Sequence, residues 1–303
     1  MENLERYKHL NKYLKEKFGE RTLKICVDAN FTCPNRDGLL SNTGCIFCSE
    51  KGSGDHLKNH LTIHEQIQNF LNSYRGKRAN KFIVYFQNFS NTYDSIENLK
   101  IKYDSALIDD RIVGIFIATR PDCINEEIVK LLSTYSKKYY VCVELGLQTS
   151  NDNTGKIINR CYSSNDFTKA ATLLNKYNID IVTHIMLGLP TEQRKDLENT
   201  IKFLNQHNIQ GLKIHSTYIV KNTVIEKMYL NGKYNPITLE NYLEDLVYVI
   251  THINPNIIIH RISGDAPKDT LVAPEWNTHK KLVLNGLDRI LKEKNLYQGI
   301  YFE

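Results

Sequence analysis

No apolar run in this 303-residue chain is long enough to cross a bilayer. Its longest, such as IVGIFIA from Ile112 to Ala118, fall far short of the roughly 20 residues a spanning helix needs. The opening MENLERYKHL lacks the apolar segment of an export signal. Together these absences point to a cytoplasmic protein with no membrane partner. No internal repeat and no low-complexity linker divides the chain. A single domain over 1–303 is therefore expected, with its core at about 21–265, an N-terminal helix at 1–18 and a helical extension at 274–297. Seven cysteines, an odd number without regular spacing, argue against a disulfide-stapled secreted scaffold and suit a reducing compartment. Tryptophan occurs once, at Trp276.

The rest of the composition is that of a globular protein: 41% hydrophobic and 24% charged, enough for a sizeable core. The net charge of +5 mildly favours an anionic partner such as RNA or a phosphorylated metabolite.

Along the chain, strand-like runs alternate with helical patterns. Strands are expected at Leu23–Val27, Phe82–Phe86, Ile112–Ala118, Tyr140–Leu147, Ile179–Leu187, Leu212–Thr217 and Ile257–Ile262. They are rich in Val, Ile and Tyr and mostly apolar throughout, as strands buried on both faces are. Between them, Ile63, Ile67, Phe70, Leu71 and Tyr74 recur with helical period, as do Ile128, Leu131, Leu132 and Tyr135 behind an Asn125 cap. Thr191 is the expected cap of a helix carrying Leu197, Ile201 and Leu204, and Thr238 of one carrying Leu239, Leu243, Leu246 and Ile250. Leu4, Tyr7, Leu10 and Leu14 suggest a leading helix, and Leu282, Leu287 and Leu291 a trailing one. Alternation of this kind implies crossovers between parallel strands. Too few units are present for a closed eight-fold barrel, so the expectation is an α/β fold, a partial, open (βα)6-type TIM barrel with parallel strands.

The loop after the first strand, CPNRDGLLSNTGCIFC, carries Cys33, Cys45 and Cys48 in a Cys-x11-Cys-x2-Cys pattern. Its Gly, Asn and Asp content marks it as a loop. Three thiolates on one loop are the protein's half of a metal site. A closed structural zinc site takes four ligands, whereas a four-iron, four-sulfur cluster on three cysteines leaves one iron open to a small molecule. Cys26 is the candidate fourth zinc ligand, but it lies in the strand pattern KICVDA, where a free Cys packs as a small hydrophobe.

CPNRDGLLSNTGCIFC, YFQNFSNTY, ATRPDCI, ELGLQT, THIMLGLPTE, GLKIHSTYIVKNT and RISGDAPKDTLVAPEW resemble, in order, the blocks of the YhcC/YtqA family of radical SAM proteins. That family is related to the elongator catalytic-subunit and anaerobic coproporphyrinogen oxidase branches. The resemblance spans about Arg21 to Leu291. It implies a [4Fe–4S] cluster on Cys33, Cys45 and Cys48, shielded by Phe47, whose open iron chelates S-adenosyl-L-methionine. Reductive cleavage then gives a 5′-deoxyadenosyl radical that abstracts hydrogen from substrate.

The resemblance also implies roles for other residues, each with a structural alternative. Gln87, Asn88 and Asn91 stand where the superfamily binds the amino group of the methionine moiety, or else form an Asn-rich turn. Thr119, Arg120 and Asp122 form a rim of the site or a salt-bridged loop. Glu144, an acid in an apolar strand, needs a partner. A ribose hydroxyl or the ammonium of the cofactor would serve, as would a buried ion pair with Lys or Arg. Gln148 follows it. Arg160 can pair with the cofactor carboxylate, although Cys161 and Tyr162 replace the Gly and His usual after it. Gly188, Leu189 and Pro190 would lie against the adenine, while His184 reads as a core histidine. Lys213, His215, Arg261 and Asp265 are the substrate-facing candidates. Trp276 reads as core packing, with stacking on a base as the alternative. Cys123 and Cys142 lack partners at ligand spacing, so no auxiliary cluster is expected.

Some members of the family are implicated in maturing carboxymethylaminomethyl-uridine to aminomethyl-uridine, which makes a wobble uridine in tRNA the expected substrate. A flavodoxin- or ferredoxin-type electron donor is the expected redox partner. The alternatives are a small metabolite such as a porphyrinogen, and a non-catalytic zinc-binding module.

Overall fold

The computed structural model describes residues 5–49, 52, 57, 60–264 and 266–303. Among the described residues there are nine strands: β1 (Thr22–Val27), β2 (Lys81–Phe86), β3 (Ile112–Thr119), β4 (Tyr140–Gln148), β5 (Asp180–Leu187), β6 (Gly211–Ser216), β7 (Ile219–Val220), β8 (Ile258–Arg261) and β9 (Leu271–Ala273). Ten helices accompany them: α1 (Leu10–Phe18), α2 (Ile63–Asn72), α3 (Ile96–Asp104), α4 (Glu126–Ser136), α5 (Asp152–Ile157), α6 (Ser164–Lys176), α7 (Arg194–Asn205), α8 (Val224–Leu230), α9 (Leu239–His252) and α10 (Lys280–Glu293).

Seven strands form one wholly parallel sheet in the order β1-β2-β3-β4-β5-β6-β8. Each successive pair is linked by a helical crossover, so all seven expected strands fall into a curled, open half-barrel. The remaining two strands form a short antiparallel ribbon, Ile219 opposite Ala273 and Val220 opposite Leu271.

Strand alternation divides the core. One set of side chains, including Ile25, Val84, Ile115, Val143, Ile181, Leu212 and Ile259, packs outward against the helices. The other set, including Ile83, Phe116, Cys142 and Val182, faces the barrel interior. Leu10 and Leu14 of α1 join this inner set, and α1 packs against both β1 and β8. It therefore stoppers the N-terminal end of the barrel across the open seam. Full burial of Leu14, 1% exposed, is worth about 2 kcal/mol.

Several caps follow the sequence signals. Asn125 accepts from Ile128 N and Thr238 from Asn241 N. Thr191 does not cap α7. That helix starts at Arg194 behind Gln193, whose amide pairs reciprocally with Asp196, while Thr191 adopts φ +68° in the preceding turn. The leading helix is shorter than the periodicity suggests. It begins at Leu10, because His9 is drawn into an extended bridge with Ile259 at the sheet edge; Leu4 lies outside the described residues. The trailing helix α10 buries Leu287 and Leu291 and leaves Leu282 half exposed. No described helix is long and apolar enough to cross a membrane.

Candidate active site

In a parallel half-barrel all strand C-termini open on one end, and β1 delivers the cysteine loop there. The loop is held by its own backbone and by Arg36. Arg36 N and Asp37 N both donate to Cys33 O, Gly44 N donates to Asn35 O, and Cys48 N to Cys45 O. The Arg36 guanidinium donates to Cys48 O at 2.8 Å and Ser49 O at 2.7 Å, tying both ends of the loop together. Gly44 has φ +73°, and a Cβ there would meet Arg36 Nε at 2.8 Å, so only glycine suits this turn.

Cys33, Cys45 and Cys48 are half-buried free thiols. Burial, then the charges of Cys48 and Cys33, push the Cys45 thiol up to about 12. Among the described residues no three His, Cys, Asp or Glu side chains close on a single point as one metal ion requires. A four-iron cluster binds each thiolate to a different iron and takes thiolates as its ligands, which this all-sulfur set supplies. Cys26 does not join it. It packs in the inner core, and the charges it feels are Lys24, Lys213, Arg261 and Glu144. Cys123 is nearer, since Cys33 is among the charges that act on its thiol. Sequence spacing gave no hint of that.

After β2 the chain turns sharply, with Phe89 at φ +58°. Gln87 N donates to Val27 O, which holds the turn beside the cysteine loop. Asn88 Nδ2 donates to Asp28 Oδ2 at 2.5 Å, and Asn91 Nδ2 to Ala118 O at 2.7 Å. Both side chains are thus locked by their donor ends, while both Oδ1 atoms are buried without a protein partner. Buried acceptors of this kind call for a donor. An ammonium group is the donor that the cofactor's methionine moiety offers, so the residues present suit it.

After β3, Thr119 Oγ1 is 2.6 Å from Thr92 Oγ1. Arg120 forms a fork with Asp122, at 2.9 and 2.7 Å, which realises the salt-bridged alternative. The Tyr162 ring is within cation–π reach of two guanidinium groups, with Arg120 Cζ 4.7 Å and Arg160 Cζ 4.8 Å from its centroid. Its hydroxyl sits 2.8 Å from Gly146 O and 2.7 Å from Gln148 Oε1, fixing Gln148 at φ +61°. Tyr162 thus organises this rim, a role that its sequence position does not betray.

Arg160 and Glu144, two of the residues expected at the cofactor, both have partners within the protein. Arg160 is 0% exposed. Its guanidinium donates to Tyr162 O, Leu147 O, Thr149 O and Asp152 Oδ1. Pairing with a cofactor carboxylate would break these bonds in a buried place. Glu144, 1% exposed, finds its partners on neighbouring strands. Its Oε2 accepts from Lys213 Nζ and lies 2.9 Å from His184 Nε2, and Lys213 also donates to Tyr85 OH at 3.1 Å. Burial pushes Glu144 up, but Lys213 and then His184 hold it well below the usual carboxylate range. Burial drives Lys213 down to about 7 against the pull of Glu144, and His184 down to about 4. Glu144 Oε1 and His215 Nε2 are left buried without protein partners. Arg261 is near enough to act on the titration of His184, Lys213 and His215. Asp265 lies outside the described residues.

Gly188 directly follows β5 at φ +77°, and a Cβ there would meet Ile237 at 2.8 Å. Its carbonyl accepts from Tyr234 OH at 2.7 Å, and Leu189 and Pro190 are buried beside it. Trp276 packs on Tyr242 and donates to Ile237 O, the expected core role. A groove of 1270 Å³ runs outside the barrel from Gly188 past Glu192 and Arg194 to Lys233 and Arg289. It lies away from the cysteine loop.

A curled sheet of parallel strands, with three thiols on the loop after its first strand, defines a radical SAM protein. The comparisons agree. The sequence matches the family model for the Radical SAM superfamily over residues 40–204 and that for the Radical SAM C-terminal domain over 209–293. It is 37% identical to YtqA of Bacillus subtilis (strain 168) over 300 residues, 98% of this chain and 93% of that protein. It is 33% identical to YhcC of Escherichia coli (strain K12) over 281 residues, 92% of this chain and 90% of that one. A tRNA uridine(34) acetyltransferase of Dehalococcoides mccartyi (strain CBDB1) is 29% identical over 57% of this chain and 37% of its own length. The solved structure of Methanocaldococcus infernus Elp3, an archaeal protein with its N-terminus deleted, matches with a TM-score of 0.68 at 18% identity, covering 91% of this chain and 64% of that one. That last likeness bears on the fold alone. The chain belongs to the radical SAM superfamily and, within it, to the family of YtqA and YhcC. It is an enzyme of that superfamily, with [4Fe–4S] and S-adenosylmethionine as its cofactors and its substrate open.

Proposed function

We propose that this enzyme modifies a wobble uridine of tRNA, converting a carboxymethylaminomethyl side chain to aminomethyl. The observation that carries the reading is one of placement. The thiols of Cys33, Cys45 and Cys48 and the buried, unpartnered oxygens of Asn88 and Asn91 stand at the same end of the barrel. The three cysteines hold the cluster, and Asn88, Asn91 and Gln87 receive the methionine end of S-adenosylmethionine. Thr119, Gln148, Gly188 and Pro190, whose local bonds hold them rigid, shape the remainder of that pocket. When bound, cluster and cofactor together supply hydrogen-atom abstraction from a substrate carbon.

The chain's own residues select that carbon. On the inner wall Lys24, Lys213 and Arg261 outnumber the single carboxylate of Glu144, which favours an anionic group on the substrate. The carboxylate of a carboxymethylaminomethyl group matches this wall, with Lys213, His215 and Arg261 as its neighbours; Asp265, the remaining candidate, lies outside the described residues. The partial relative that acts on tRNA uridine 34 supports the same substrate class. A small carboxylated metabolite such as a porphyrinogen is the second reading, favoured by the same cations. We place the enzyme in the cytoplasm with a flavodoxin- or ferredoxin-type electron donor.

The test is anaerobic turnover of bulk tRNA, read by nucleoside mass spectrometry. Loss of carboxymethylated precursor is not sufficient by itself; carboxymethylaminomethyl-uridine must fall as aminomethyl-uridine rises. Unaltered tRNA, with 5′-deoxyadenosine formed only when porphyrinogen is added, would select the second reading.

A further inference from the structure

We propose that Asn35 is a positioning residue that donates a hydrogen bond to a cluster-ligating sulfur and so raises the reduction potential of the cluster. The inference rests on the three-cysteine reading above. Asn35 stands two residues after Cys33 and is 0% exposed. Its Nδ2 lies 2.6 Å from the main-chain oxygen of Asn159 and 3.5 Å from Cys45 Sγ. A carbonyl oxygen only accepts, so the contact with Asn159 identifies the nitrogen end of the amide. One N–H then serves Asn159 and the other is left for the sulfur.

The loop makes this geometry rigid. Gly44 N bonds to Asn35 O at 2.7 Å, and Ile46 N to Ile158 O at 3.1 Å, bracketing Cys45 from both sides. The Asn35 amide itself is held by its 2.6 Å bond to Asn159 O, which swinging away from the sulfur would break in a fully buried place. Reduction adds negative charge to the cluster and its thiolates. A fixed donor on a ligand sulfur stabilises the reduced state more than the oxidised one, and hydrogen bonds to sulfur are among the factors that set such potentials.

Asn159 provides an internal control. Its side chain also tethers the loop, donating to Gly44 O at 2.8 Å and lying near Ser41 and Thr43, but its amide is not bonded to a ligand sulfur. Both side chains tether the loop, but of the two it is Asn35 whose amide reaches Cys45 Sγ.

The experiment uses the full chain reconstituted anaerobically without S-adenosylmethionine. Iron and sulfide are counted first, then the cluster is titrated potentiometrically with detection by electron paramagnetic resonance. Asn35→Ala is expected to move the midpoint to more negative values, by about 59 mV if the one-electron equilibrium changes tenfold. Asn35→Asp, which sets a carboxylate against the thiolate, should move it further. Asn159→Ala should keep the wild-type midpoint. An unchanged midpoint in the Asn35 variants at full iron content, or an equal shift in Asn159→Ala, overturns the proposal. Should the Asn35 variants lose iron, wild-type protein carrying amide-¹⁵N asparagine decides. Hyperfine coupling from a side-chain nitrogen to the reduced cluster supports the bond, and its absence overturns it. A wild type without iron or sulfide would instead remove the cluster reading itself, and this assignment with it.

Discussion

At the N-terminal end of the barrel, Leu10 and Leu14 meet Ile83, Phe116, Cys142 and Val182, an apolar stopper. Two residues further along the same strands the inner column changes character: Cys142 gives way to Glu144, Val182 to His184 and Gly211 to Lys213. One alternation of the backbone thus serves both ends, and side-chain choice alone turns stopper into site. The apolar end is filled by side chains, although His260, stacked on Phe116, keeps its Nδ1 buried without a protein partner. The polar end leaves buried acceptors on Asn88, Asn91 and Glu144, a state that costs stability unless a bound molecule relieves it.

The sharpest way to break this comparison is Cys48→Ala. S-adenosylmethionine cleavage should fall to background while circular dichroism and melting stay close to wild type; undiminished 5′-deoxyadenosine would contradict the assignment. Next in size is the buried Lys213–Glu144 pair. Glu144→Leu or Lys213→Met alone leaves an uncompensated buried charge and should cost about 3–5 kcal/mol in denaturant unfolding. The double variant should recover most of that loss; additive losses would show that the pair is not a unit. At the opposite end, Leu14→Ala should cost about 3 kcal/mol yet leave cleavage per folded molecule unchanged. A change in cleavage there would erase the distinction between the ends.

The smallest expected effect depends on pH. Burial raises the Glu192 carboxyl from the usual 4.5 to about 7, chiefly by desolvation. Its neutral form is favoured in the fold, so its contribution is present below pH 4.5 and lost as pH rises through 7. Glu192→Gln should match wild type near pH 4 and exceed it by about 3 kcal/mol at pH 8. A constant difference across that range would place the shift elsewhere.

Strands were the most legible part of the chain, because Val, Ile and Tyr runs buried on two faces announce themselves without help from distant residues. Several helices were not. The α3 sequence IENLKIKYD buries only Leu99 and Tyr103, too weak a stripe to stand out. For α6 the sequence signal is confined to its start, the reciprocal cap between Ser163 and Asp166, because two of its four buried residues are the small Ala170 and Ala171. The β7–β9 ribbon is too short for any period to show. Within the site, the three cysteines were legible from spacing and the loop around them from composition. The partners of Glu144 were not, since His184 and Lys213 come from other strands 40 and 69 residues away. Tyr162 escaped for the same reason: its place is set by Arg120, which the preceding strand delivers.

The central claim is that three thiolates hold a four-iron cluster with one corner open to S-adenosylmethionine. The most direct test is electron paramagnetic resonance of the anaerobic, dithionite-reduced protein before and after the cofactor is added. The account predicts a [4Fe–4S]⁺ signal whose g values shift on addition and whose integrity needs Cys33, Cys45 and Cys48. A signal indifferent to S-adenosylmethionine, or a colourless protein carrying stoichiometric zinc, would contradict it.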